Sequence, residues 1–139
     1  TALPFASVFF AKGLNLQVEV EEGLCLWGEA AQLGQAVEIL LDNAQKYASP
    51  GGQVRVELCR QGRGRCLLTV ANQGPPISPE DLPRLFQRFY RADPARSRSG
   101  SFGLGLSIAR SILACHKGRI WARSEDGFNR FLVELPCTS

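Results

Sequence analysis

The chain contains no methionine among its 139 residues. A translated protein begins with Met, so Thr1 is expected to be a cut inside a longer chain. Histidine occurs once, at His116. One histidine without a CxxC pair cannot complete a common zinc spacing. The five cysteines, Cys25, Cys59, Cys66, Cys115 and Cys137, form an odd set. They read as reduced thiols of a cytosolic domain, several of them in the core. No apolar run approaches the roughly 18 residues of a membrane-spanning helix, and no signal peptide is recognisable. The net charge of +3 is too small to argue for a nucleic-acid partner. What is present is an ordinary globular composition, 45% apolar and 21% charged. The length suits one domain with one core.

Read in order, residues 3–12 are apolar and uncapped, and they are expected to be the end of a preceding linker. Leu14, Leu16, Val18 and Val20 alternate with polar neighbours as a half-buried strand, and Leu24–Trp27 form a short second one. Gly28 breaks that strand, and a helix runs from about Glu29 to Tyr47. Its apolar positions Leu33, Ala36, Val37, Leu40, Leu41 and Ala44 recur at helical spacing and predict one buried face. Val54–Leu58 and Cys66–Val70 alternate as strands around a turn at Gln61–Gly64. Asn72–Ile77 is a loop. Ser78-Pro79-Glu80-Asp81 opens a short helix, with a Ser cap and Pro at the first helical position. Leu82, Leu85, Phe86 and Phe89 give it an apolar stripe. A polar, basic stretch over 91–100 follows, and Gly103-Leu104-Gly105-Leu106 leads into a helix through Cys115. Arg119–Arg123 and Phe131–Leu135 are the final strands around Asp126-Gly127. Strands therefore fall in adjacent pairs separated by helices. The fold class is α/β: a two-layer α/β sandwich, with a mixed, largely antiparallel sheet covered on one face by helices.

Several stretches are chemically pointed. Asn43, Lys46 and Tyr47 lie three and four residues apart, so they share a face beside the apolar stripe. They suit the rim of a pocket, and equally a solvated helix surface. The glycines at 100, 103 and 105 precede a helix start, where close backbone approach, free N–H groups and the helix dipole together favour phosphate. No GK[ST] follows, so this is not a P-loop. Ile108 stands where the dinucleotide fingerprint needs its third glycine. A plain Gly-rich turn before a helix cap explains the same residues. Asn72-x-Gly74 can read a base edge with its amide, or can be an Asx turn. Arg84, Arg88, Arg91, Arg96 and Arg98 can hold phosphate or form a solvated basic face.

Together these motifs resemble the ATP-binding catalytic domain of bacterial sensor histidine kinases. That domain belongs to the GHKL superfamily, with a Bergerat-type fold shared by gyrase-type ATPases, Hsp90 and MutL. Leu40–Tyr47 is similar to the N box and Asn72–Ile77 to the G1 box. Phe86–Arg91 is similar to the F box, and Gly103–Arg110 to the G2 box. The resemblance runs from about Leu14 to Pro136. It implies ATP and Mg²⁺ as cofactors, with Asn43 as the Mg²⁺ ligand and Asn43 and Lys46 as the catalytic pair. Lys46 and Tyr47 would contact phosphate and the nucleotide wall, Asn72 would take the adenine amino group, Gly74 would let the base lie close, and Ile77 would be a further ATP-binding residue. Residues 91–102 would be the ATP lid, with Arg91 as a phosphate contact, and Tyr90 would be a further ATP-binding residue. Gly103, Leu104, Gly105 and Leu106 would cradle the phosphates. The implied reaction moves the ATP γ-phosphoryl group to a histidine on a separate dimerisation domain before Thr1. A response regulator would then receive it. The implied layout is one catalytic domain over 1–139, with 1–12 as linker end. That domain is cytoplasmic, and its parent sits in the cell membrane only through other parts of its chain. The apolar N-terminal segment and the Leu85, Phe86 and Phe89 helix are expected to dock on the dimerisation domain. His116 is expected to be structural rather than the acceptor.

The chain departs from the family pattern in places. Ile39, one turn before Asn43, replaces the Asn of many members and the catalytic Glu of gyrase-type ATPases, so it can neither ligate metal nor activate water. Asn72 replaces the Asp that takes the adenine amino group; its carbonyl still accepts, but without charge assistance. Pro76 replaces the second G1 glycine, and Phe102 a small residue. These changes leave open a docking module without catalysis. A related protein serine kinase acting on a sigma factor or its antagonist is a further alternative.

Overall fold

The computed structural model describes residues 2–4, 16–49, 52–88 and 105–138. The long helix forms where the apolar spacing places it: α1 spans Ala30–Tyr47, and Leu33, Ala36, Val37, Leu40, Leu41 and Ala44 are its buried residues. Strands are β1 (Ala2–Pro4), β2 (Leu16–Val20), β3 (Cys25–Trp27), β4 (Val54–Arg60), β5 (Arg65–Gln73), β6 (Arg119–Glu125) and β7 (Phe128–Thr138). The second helix, α2, covers Gly105–Cys115.

The sheet runs β1-β3-β7-β5-β4-β2, with β6 also paired to β7. Among the described residues only β2 and β4 pair in parallel; the other pairings are antiparallel. The mixed, largely antiparallel sheet expected from the sequence is therefore present. Its first two long strands are not neighbours, however. β2 pairs with β4, whereas β3 pairs with β1 and β7. The short Glu21–Leu24 link joins opposite sides of the sheet, with Glu21 N–H bonded to the Leu58 carbonyl at 2.9 Å and Leu24 buried. Adjacency in sequence favoured a hairpin, but the apolar face of β2 is satisfied by β4, where Val18 aligns with Val56 and Val20 with Leu58. Ala2–Pro4, expected as linker, pairs with β3 instead.

Alternation along the inner strands sets the core. Val54, Val56 and Leu58 on β4, Cys66, Leu68 and Val70 on β5, and Phe131, Val133 and Leu135 on β7 are buried with the α1 stripe, Ala109 and Leu113. Each fully buried Val, Leu or Phe side chain contributes about 1.5–3 kcal/mol. Tight turns close the hairpins at Gln61–Gly64, where Gln61 N–H bonds the Arg65 carbonyl, and at Asp126-Gly127, where both residues have positive φ.

The helix expected after Ser78 is reduced to a 3₁₀ turn at Leu82–Arg84. The Ser78 cap does form: its Oγ accepts from Asp81 N–H at 3.3 Å. Pro83 then has no N–H to give, so the α ladder cannot continue, and Arg84, Leu85 and Gln87 bond three residues back instead. Leu85 and Phe86 are buried in the core of this domain, with Phe86 edge-on to Phe131 at 6.0 Å between ring centroids. They are spent on internal packing and do not form an exposed docking face. Phe89 lies outside the described residues.

Candidate functional site

The site is built where the C-terminal end of α1 meets the end of β5. Ser49 N–H, just past α1, bonds the Gln73 carbonyl at 2.9 Å, and Gln73 N–H bonds the Gln53 carbonyl at 2.8 Å. Gly74 follows immediately. A side chain there would collide with the Tyr47 carbonyl oxygen and crowd Asn72 Nδ2 at 3.1 Å, so only glycine lets the loop lie against the helix end. Its N–H is bonded to the Gly127 carbonyl at 3.2 Å. The glycine thus secures protein packing before any ligand is considered.

Asn72 is the polar centre of this floor. It continues the inward alternation of Cys66, Leu68 and Val70 and is 1% exposed. Neither Oδ1 nor Nδ2 has a hydrogen-bond partner. Leaving a buried amide unpaired costs on the order of 1–3 kcal/mol. Its register partner on β7, Asn129, is as deeply buried and fully satisfied. Ile77 N–H donates to Ser124 Oγ at 3.0 Å, Ser124 O–H donates to Asn129 Oδ1 at 2.7 Å, and Asn129 Nδ2 donates to the Pro75 carbonyl at 2.9 Å. This chain of bonds holds the 74–77 loop to the β6–β7 hairpin. Asn129 and Ser124 are the functional residues that sequence reasoning missed. Nothing in the local sequence singles either of them out, since both are ordinary polar residues close to the Asp126-Gly127 turn.

The other wall is α1 against α2. Asn43, Lys46 and Tyr47 are half-buried on the last turns of α1. One turn earlier, Ile39 packs on the start of α2: a Cβ placed at Gly105 would sit 3.3 Å from Ile39 Cγ2. Apolar packing thus occupies the position where a water-activating or metal-binding group would stand. Gly105 and Leu106, half-buried, begin α2 with their N–H groups at the positive end of its dipole. The structure thus brings Gly74 and Asn72 against the Tyr47 backbone, and Gly105 against the face of α1 that carries Ile39 and Asn43, while Ile77 is tied to Ser124 on β6. Tyr90, Arg91, Gly103 and Leu104 lie outside the described residues, as does the 91–102 segment.

His116 links the helices from behind. Its Nδ1–H donates to the Ile112 carbonyl at 2.7 Å, and Nε2 accepts from Glu29 N–H at the start of α1 at 3.1 Å. The two bonds select one neutral tautomer. All five cysteines are free thiols. Burial, and then the neighbouring Cys137 thiol, push the Cys66 thiol up to about 12.

Residues 28–139 match the family model described as histidine kinase-, DNA gyrase B- and HSP90-like ATPase. The chain belongs to that family. Among curated members, the sensor histidine kinase CusS of Escherichia coli O6:H1 is 44% identical over 110 residues, covering 78% of this chain and 23% of that protein. The chain spans about a quarter of the length of such histidine kinase relatives. The mycobacterial sensor histidine kinase MprB superposes with a TM-score of 0.80 at 29% identity, over 89% of this chain and 84% of that one. Full-length ShkA in complex with AMPPNP gives 0.77 at 25% identity, over 92% and 26%. Histidine kinase ThkA with the response regulator TrrA gives 0.74 at 25% identity, over 91% and 35%. The present chain is thus a catalytic ATPase-family domain of the histidine kinase type. Among the described residues, no helix is long and apolar enough to cross a membrane.

Proposed function

We propose that this domain binds Mg²⁺–ATP between α1 and the β5 end, and phosphorylates a histidine on a separate dimerisation domain of its parent protein. The observation that carries this reading is the Asn72 carboxamide, buried beside a glycine cradle with both polar atoms unpaired. A purine edge supplies the donor and acceptor that such an amide lacks. Bound ATP supplies the γ-phosphoryl group, and Mg²⁺ neutralises the charge that develops during transfer.

The same reading assigns roles to the chain's own residues. Asn72 fixes the base, and Gly74 lets the loop beside it pack on the end of α1. Asn43 offers an uncharged oxygen to the metal, and Lys46, one turn on, offers a cation to phosphate. The N–H groups at the start of α2 add fixed dipoles, which need no reorganisation during the reaction. Ile39 presents no group that could orient water, which favours a histidine acceptor over hydrolysis. Tyr90, Arg91, Gly103 and Leu104, with the 91–102 segment as a lid, complete the assignment. A response regulator as next acceptor follows the ThkA complex with its regulator. A cytoplasmic position, with a membrane anchor elsewhere in the parent, completes the reading.

The test is calorimetric titration with a non-hydrolysable ATP analogue. Binding on the order of −5 to −8 kcal/mol, strengthened by Mg²⁺ and lost in Asn43→Ala, is expected. Absence of heat at millimolar analogue would leave the domain a docking module, without nucleotide chemistry.

A further inference from the structure

The two buried asparagines at the end of the sheet differ in one respect that bears on which nucleotides the site accepts. Asn129 is locked: its Oδ1 receives the Ser124 O–H and its Nδ2 donates to the Pro75 carbonyl. Asn72, directly opposite it on β5, has no hydrogen-bond partner at either end of its amide. Half a turn about its last side-chain bond therefore exchanges acceptor and donor without breaking any bond in the protein.

We infer that Asn72 makes the base site indifferent to the substituent at purine position 6, so that 6-oxopurine nucleotides bind comparably to adenine nucleotides. The inference rests on the nucleotide site proposed above and names its ligand class. An adenine edge offers an amino donor at position 6 and an acceptor at N1. A 6-oxopurine offers the reverse, an acceptor at position 6 and an N1–H donor. A carboxamide carries one acceptor and one donor side by side, and its two orientations complement the two edges equally. An ionised carboxylate at the same place only accepts. Held in the register that takes the position-6 amino proton of adenine, it would meet the 6-oxo oxygen with no proton between them and reach N1–H only if the base shifted, and a buried polar mismatch of that kind discriminates.

The experiment compares adenosine diphosphate and inosine diphosphate by calorimetry on the wild-type domain. Inosine differs from adenosine at position 6 and N1 and lacks the 2-amino group of guanosine, so it isolates the Asn72 contact. Dissociation constants within about tenfold of each other are expected, and a wider gap in favour of adenosine overturns the inference. In Asn72→Asp the ratio should move toward adenosine by about tenfold or more, and an unchanged ratio overturns it equally. The wild-type comparison stands by itself should the variant fold poorly. If adenosine diphosphate gives no heat, the nucleotide site itself falls, which separates that failure from a selective failure with inosine.

Discussion

Replacing Asn72 by leucine should make the ligand-free domain more stable while destroying its affinity for nucleotide. The amide is 1% exposed and both of its polar atoms are unpaired. Leucine has the same branched outline with no polar atom, and its register neighbour Val54 and the preceding Val70 are apolar. Removing the unsatisfied group recovers its desolvation penalty, about 1–3 kcal/mol. For a domain of this size that is a rise of roughly 3–10 °C in Tm. Urea denaturation followed by far-UV circular dichroism measures it directly. The complementary arm adds adenosine diphosphate. At 100 times its dissociation constant it should stabilise wild type by about 2.7 kcal/mol and leave the leucine variant unmoved. A leucine variant less stable than wild type without nucleotide would refute the reasoning, because it would mean that the amide is satisfied in the free domain.

Further outcomes follow from the same structure. Gly74→Ala should cost about 2 kcal/mol or more, since the new methyl meets the Tyr47 carbonyl where backbone on both sides is hydrogen-bonded; thermal melting reads it. Asn129→Leu should strand the Ser124 hydroxyl and the Pro75 carbonyl, lowering stability by about 1–3 kcal/mol and speeding amide exchange at Ile77. The Cys66 thiol is raised from 9.0 to about 12 in the folded state, so its contribution is complete below pH 9 and is lost as pH climbs toward 12. Stability should fall by about 1.4 kcal/mol per pH unit within that window, and in Cys66→Val this component of the slope should vanish in denaturation curves between pH 9 and 11.

The parts of the molecule that were legible in the sequence are those whose cause is local. The α1 stripe is visible because burial repeats at helical spacing, and every apolar residue it singled out is buried. The ends of β5 and β7 were harder to see. Asn72, Gln73, Asn129 and Arg130 are polar, and their strand conformation comes from pairing across the sheet, Asn72 with Asn129, Gln73 with Phe128 and Arg130 with Ala71, rather than from alternation. The mispaired β2 and β3 show the same limit, because nothing local distinguishes a hairpin from a link between opposite sides of a sheet. The helix that failed after Ser78 was decided by Pro83, whose effect is local and was outweighed by the apolar stripe that turned out to serve the core. At the site, Asn72 and Gly74 could be read from type and spacing. Asn129 and Ser124 could not, since their role exists only once β6, β7 and the 74–77 loop meet.

The place of β7 in the sheet has a consequence for synthesis. It is the last strand of the domain, yet it lies between β5 on one side and β3 and β6 on the other. A ribosome therefore releases every other strand before the one that joins them. Until then the inner edge of β5 has no partner, the Pro75 carbonyl lacks its Asn129 donor and the Ser124 hydroxyl its Asn129 acceptor. Such long-range pairing makes for slow folding and a period of exposed strand edge. The domain should accordingly fold only after translation of β7, and a nascent chain halted before Phe128 should be protease-sensitive over its whole length.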